Sequence, residues 1–154
     1  MSRAYVALGS NAGDPVLNVG RGFDALAAIG HVLQRSSLYR TPPWGKTDQP
    51  DFVNAVALVE TTLAPRALLN ALKAAERRLG RTPGERWGPR IIDLDLLTYD
   101  DLTIDEPDFR VPHAELRHRA FVLVPLAEVD AAYAALRDAL DPSELGGIAR
   151  LPSP

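Results

Sequence analysis

Two consecutive strand–helix–strand units within 154 residues predict an α+β fold with a mainly antiparallel sheet. Three observations support it. Apolar side chains alternate along residues 52–60, apolar stripes at helical spacing follow Pro15 and Pro65, and Gly/Pro clusters punctuate the joins. Side by side, two such units form the split βαβ, or ferredoxin-like, sandwich with its helices on one face. A further strand and helices are expected to be added on the C-terminal side.

In chain order, residues 3–8 read as a strand that feeds the turn cluster Gly9-Ser10-Asn11. Asp14-Pro15 is an N-cap followed by proline at the first helical position. Val16, Val19, Phe23, Leu26 and Ala27 carry the stripe of the first helix, weakened by Gly20 and Gly22 and stopped at Gly30. Residues 32–39 read as a second strand, and residues 41–50 as a long turn-rich loop. In the third strand, residues 52–60, Phe52, Asn54, Val56 and Leu58 share one face. Pro65 opens a second helix with the stripe Leu68, Leu69, Leu72, Ala75 and Leu79, and Gly80 closes it. Lys73, Glu76 and Arg77 fall off that stripe, toward solvent or a site. Residues 81–89 form another Gly/Pro loop and residues 91–99 a fourth strand. A short strand is expected at 102–104, a helix over 119–129 interrupted at Pro125, a last helix over 131–140, and a frayed end from Leu151. The whole of 1–154 reads as one domain.

Composition narrows the function classes. The net charge of −3 and pI near 5.6 argue against a dedicated nucleic-acid binder. The absence of cysteine excludes disulfides, thiolate metal sites and a cysteine nucleophile. No apolar run reaches the roughly 20 residues needed to span a bilayer, and no signal segment is evident. A cytoplasmic monomer without a membrane or nucleic-acid partner is expected.

The segment Ile91-Ile92-Asp93-Leu94-Asp95-Leu96-Leu97 carries the strongest chemical signal. In a strand, Asp93 and Asp95 stand on one face, roughly 6.6 Å apart, while Ile92, Leu94 and Leu96 face the core. Paired carboxylates in so apolar a strand call for a cation: either nearby arginines on a solvated face, or a metal. Magnesium takes one or two carboxylates plus substrate phosphates. Arg77, Arg78, Arg81, Arg86 and Arg90 precede the pair, and guanidinium forks suit phosphate oxygens. Arg77 and Arg78 read as a solvated helix face, whereas Arg90 is fixed just before the aspartate strand. The P-loop and protein-kinase motifs are absent. Gly9-Ser10-Asn11 could bind an anion or simply turn. His113, after Pro112, is a second candidate phosphate or nucleotide contact, with Arg119 nearby. Phe52, Trp87 and Phe121 are candidates for stacking, and Phe52 with Asn54 on its face suits a planar heterocycle.

Together these segments resemble the 6-hydroxymethyl-7,8-dihydropterin pyrophosphokinase family of the folate pathway. The resemblance rests on Y-R-T-P-P at residues 39–43, D-Q-P-D-F-V-N at 48–54, E-R-W-G-P-R-I-I-D-L-D-L-L at 85–97 and V-P-H at 111–113. It implies transfer of the terminal diphosphate of ATP to the pterin's hydroxymethyl oxygen, with attack at the β-phosphorus and release of AMP. It also implies that Asp93 and Asp95 hold two magnesium ions. Arg81 and Arg90 would stabilise phosphate charge. Lys73, Glu76, Arg86, Trp87, His113 and Arg119 would lie on the ATP side. Thr41, Pro42, Trp44, Phe52, Asn54 and Phe121 would form the pterin pocket. The loop from Arg81 to Arg86 is shorter than in some relatives, and Ala114 stands where some have tyrosine. An RNA-binding module of ferredoxin-like fold, or another magnesium-dependent nucleotide transferase, are the competing readings.

Overall fold

The computed structural model describes residues 1–43, 47–81 and 90–152. Strand β1 (Ser2–Ser10) leads into helix α1 (Pro15–Ile29), whose N-terminus is capped by the Asp14 side chain accepting the Leu17 N–H at 3.2 Å. Strands β2 (His31–Arg35) and β3 (Tyr39–Thr41) stand where one strand over 32–39 is expected. The chain breaks between them because the Ser36 N–H bonds the Val56 carbonyl while the Ser36 hydroxyl accepts the Val56 N–H. Strand β4 (Phe52–Thr61), helix α2 (Pro65–Arg78) and strand β5 (Asp93–Tyr99) complete the second unit. Gly80 terminates α2 with φ +103°, a backbone that disfavours any side chain, and lets the Arg81 N–H return to the Glu76 carbonyl at 3.0 Å.

Strands β5, β1, β4 and β3 lie in that order, β2 also pairs with β4, and these pairings are all antiparallel. The fold is therefore α+β with an antiparallel main sheet. The expected strand at 102–104 is found slightly later, as β6 (Ile104–Glu106), hairpinned with β7 (Phe109–Val111).

Helices cover both faces of the sheet rather than one. Helices α1 and α2 pack on the face carrying Val6, Leu8, Ala55, Ala57, Leu94 and Leu96. Helix α3 (Ala120–Val129) covers Val56 and Leu97 on the other face. Residues such as Val56 make this legible in retrospect, since both faces of β4 are apolar and both need a cover. Pro125 does not interrupt α3. It lies within the helix and is buried. The last helix expected over 131–140 is broken into a 3-10 turn at Ala131–Tyr133 and α4 (Ala134–Asp138). A short α5 (Pro142–Leu145) and β8 (Ala149–Arg150) follow, the latter pairing with β3. Leu151 is not frayed: its N–H bonds the Leu38 carbonyl at 2.8 Å. Among the described residues no helix is long and apolar enough to cross a membrane.

Candidate active site

The uncovered end of the α3 face forms the site. Because α3 covers only part of it, a cavity of about 320 Å³ opens beside the ends of β1, β4 and β5. That volume suits a small planar ligand. The alternation of β5 puts Asp93, Asp95 and Leu97 toward this side, while Ile92, Leu94 and Leu96 are buried on the other.

One wall is aromatic and polar. Phe52 from β4 and Phe121 from α3 both line the cavity, as do Asn54, Thr41 and Pro42. The buried Asn54 amide donates to Thr41 Oγ1 at 2.7 Å, which holds its orientation. Gly9 makes this arrangement fit, since a Cβ there would stand 2.6 Å from Asn54 Oδ1.

The opposite wall is ionic. Asp93, Asp95, Arg81, Arg90 and His113 line it. Arg81 Nη2 lies 3.2 Å from Asp93 Oδ1, and Lys73 Nζ lies 3.4 Å from Asp95 Oδ1. Burial and the neighbouring Asp95 push the Asp93 carboxyl up to about 6, with Glu76 adding to the effect and Arg81 and Arg90 opposing it. Burial disfavours the Lys73 ammonium, but Asp95 and Glu76 outweigh it and hold Lys73 above the ordinary lysine value. The Arg81 Nε is buried without a hydrogen-bond partner among the described residues. His113 Nδ1 accepts the Glu115 N–H at 3.1 Å, so the neutral ring carries its proton on Nε2 and can donate from there.

A second cavity, of about 300 Å³, adjoins the first and shares Asp95 and His113 with it. Lys73, Leu69 and the β6–β7 hairpin residues Phe109 and Arg110 line it. Glu76 lines neither cavity. It does not project toward solvent or a ligand as an off-stripe residue should, but is 2% exposed. It accepts from the Leu94 N–H at 2.6 Å, from Arg81 Nη1 at 3.0 Å and from Lys73 Nζ at 3.4 Å. Its buried charge is matched by these partners. Arg119 also lines neither cavity, and its Nε lies 2.8 Å from Glu115 of the first. Trp44, Arg86 and Trp87 lie outside the described residues.

Asn11 is a structural contributor whose role the sequence left open. Its Oδ1 accepts the Arg90 N–H at 2.7 Å, and its Nδ2 donates to Gln49 Oε1 and the Pro50 carbonyl at 2.8 and 3.0 Å. One buried amide thus fixes the chain on either side of the cavity. An asparagine after a strand-ending glycine is the signal available in the sequence, but it reads equally as a turn.

Magnesium fits the two carboxylates. No group of three or more metal-ligating side chains assembles among the described residues, and this ion needs only one or two carboxylates when phosphates complete its shell.

The 2-amino-4-hydroxy-6-hydroxymethyldihydropteridine pyrophosphokinase of Methylorubrum extorquens is 47% identical over 131 residues, covering 84% of this chain and 83% of that one. The enzyme of the same name from Pseudomonas aeruginosa is 44% identical over a stretch of equal length, covering 81% of its own chain. A folate synthesis bifunctional protein of pea mitochondria is 42% identical over 80% of this chain and 24% of its own. Among solved structures, wild-type Plasmodium falciparum HPPK-DHPS superposes with a TM-score of 0.69 at 16% identity, which bears on the fold alone. That match covers 90% of this chain, which spans less than half (43%) of the larger protein. The family model for 7,8-dihydro-6-hydroxymethylpterin-pyrophosphokinase matches residues 5–131, and the chain belongs to that family.

Proposed function

We propose that this protein transfers the terminal diphosphate of Mg-ATP to the hydroxymethyl oxygen of 6-hydroxymethyl-7,8-dihydropterin, a step of folate biosynthesis. The observation that carries this reading is the joining of two chemistries in one cavity: a wall built from Phe52, Phe121 and Asn54, and a wall built from Asp93, Asp95, Arg81 and Arg90. Family membership agrees with it.

The pterin lies between Phe52 and Phe121, with Thr41 and Pro42 beside it. Asn54 distinguishes it by hydrogen bonds to its edge. ATP occupies the second cavity, and its polyphosphate crosses into the first past Asp95 and His113, the two residues common to both. Lys73, Arg81, Arg90 and His113 supply positive charge or donors along that path. The family resemblance assigns Arg86, Trp87 and Arg119 to the ATP side as well, and Trp44 to the acceptor side. Asp93 and Asp95 hold two magnesium ions, which when bound neutralise phosphate charge and align donor with acceptor.

The acceptor oxygen forms a bond to the β-phosphorus while the bond from that phosphorus to the α,β-bridging oxygen breaks. The electron pair leaves with AMP, and the hydroxyl proton is lost to water. The protein's task is positioning and electrostatic stabilisation, for which arginines and carboxylate-held cations suffice without a covalent nucleophile. The order of the strands supports a ferredoxin-like split βαβ frame in one domain, and we take the enzyme to work as a monomer.

Product analysis with ATP, Mg²⁺ and the hydroxymethyl pterin tests the reading. AMP should form only when the pterin is present. ADP as the product, or no turnover, would overturn it.

A further inference from the structure

Helix α3 supplies Phe121 to the acceptor wall, while β3 supplies Thr41. One side chain of α3 reaches across to β3. The Glu128 carboxylate, near the end of α3, accepts the Ser37 N–H at 3.0 Å, the Ser37 hydroxyl at 3.0 Å and the Tyr39 hydroxyl at 2.6 Å. Arg150 of β8 lies 3.9 Å from the same carboxylate.

Phe121 and Glu128 are seven residues apart on α3, two turns, and so lie on one face of the helix. Tyr39 and Thr41 are two residues apart on β3, both buried and both directed to one face of the strand. A clasp between Glu128 and Tyr39 therefore fixes α3 against rotating or sliding relative to β3. It sets the distance across the cavity from Phe121 to Thr41 and, through the Thr41–Phe52 pairing, to Phe52. Val122, Leu123 and Leu126 of α3 pack on the sheet through apolar contacts, and a second polar tie sits at the helix C-cap, where the Tyr5 hydroxyl of β1 donates to Asp130 at 3.1 Å. Apolar packing resists separation but is less directional than a carboxylate accepting three hydrogen bonds.

From this geometry we infer that Glu128, through Ser37 and Tyr39, is a positioning residue for the acceptor pocket, setting how Phe121 faces Phe52. It touches neither cavity. The inference rests on the assignment of that pocket to the pterin made above.

The test is steady-state kinetics of the full chain with Mg-ATP and the hydroxymethyl pterin. Replacing Glu128 with alanine should raise the acceptor KM about tenfold while the ATP KM stays within about twofold, as expected when a small misplacement affects one substrate. Glu128→Gln, which still accepts the Tyr39 hydroxyl, should recover most of the loss. Tyr39→Phe, which removes one hydrogen bond, should move the acceptor KM the same way by less. An unchanged acceptor KM in a folded Glu128→Ala protein, or equal losses for both substrates, would overturn the inference. Should Glu128→Ala fail to fold, Tyr39→Phe decides, and an unchanged acceptor KM there is equally fatal. A parent protein that forms no AMP defeats the functional reading instead, and this inference with it.

Discussion

Arg81 stands between two acids of different kinds: its Nη1 bonds the buried Glu76 at 3.0 Å while its Nη2 lies 3.2 Å from Asp93 at the cavity wall. One guanidinium fork thus joins a structural carboxylate to one placed to hold a cation. A divalent ion held by Asp93 would compete for the second contact and not the first, so Arg81 would stay tethered to α2 through Glu76.

Asp93 should make the metal-free protein pH-sensitive. Its carboxyl is raised from 3.8 to about 6 by burial and by Asp95, so the folded state holds a proton that the unfolded chain has released. This group's contribution to stability is complete below about pH 4 and is lost as pH rises through about 6. Melting curves between pH 4 and 7 should show that loss, and Asp93→Asn should flatten it. Mg²⁺ binding, which needs the ionised form, should release a proton and weaken below pH 6. Calorimetric titration in buffers of different ionisation heat measures both.

Asp95 touches both cavities, so its removal should strike chemistry rather than folding. Asp95→Asn should lower turnover by about 10²-fold or more, in the range for loss of a main electrostatic contact. The melting temperature should change little, because the side chain is partly exposed and its like-charged neighbour is relieved. A variant with parental turnover would show that Asp95 is not a metal ligand.

Glu76→Ala should be the most destabilising of the site substitutions. It strands the Leu94 N–H inside the sheet and leaves Lys73 and Arg81 without their buried partner. Removing one member of a buried, hydrogen-bonded charge group costs about 3–5 kcal/mol. Urea unfolding measures this directly. Glu76→Gln, which keeps an acceptor for Leu94, should recover part of it.

Much of this was legible from the chain itself, and the omissions share a physical cause. The Asp93–Asp95 pair, the core-facing Ile92, Leu94 and Leu96, and the capped start of α1 are local patterns, readable from alternation, periodicity and turn chemistry. Glu76 was misplaced because its burial depends on Leu94 and Arg81, which helical periodicity does not encode. Glu128 gave no signal for the same reason: its partners Ser37 and Tyr39 lie about ninety residues away. The second helical layer is not encoded locally: alternation makes both faces of β4 apolar but does not say which element covers each. The broken C-terminal helix lacks a proline before Pro142, so its 3-10 turn has no marker beyond the Asp130 side chain that accepts the Ala132 N–H.

Gly9→Ala tests the packing of the acceptor wall. The new Cβ would fall 2.6 Å from Asn54 Oδ1, closer than such atoms approach, and Asn54 is already tied to Thr41. The amide should be displaced, raising the acceptor KM by about tenfold or more. Asn54→Ala in the Gly9→Ala background should add little further loss, because the two changes act on the same group. Additive effects of the two substitutions would show that Gly9 acts elsewhere.

Gly147 presents the same problem behind Pro42. A Cβ at this position would lie 2.6 Å from Pro42 Cγ and 3.2 Å from Cδ, and Pro42 lines the acceptor cavity. The tail has little freedom to retreat, because β8 pairs with β3 and the Leu151 N–H is bound to Leu38. The proline ring is rigid, so Gly147→Ala should shift Pro42 as a unit and raise the acceptor KM several-fold, an effect of about 1 kcal/mol. The ATP KM should not move, since Pro42 does not line the second cavity, where ATP is proposed to bind. If the acceptor KM instead stays at the parental value and amide exchange speeds up at Leu151, the short β8 ladder has yielded before the proline, and the C-terminal segment is not a wall of the pocket.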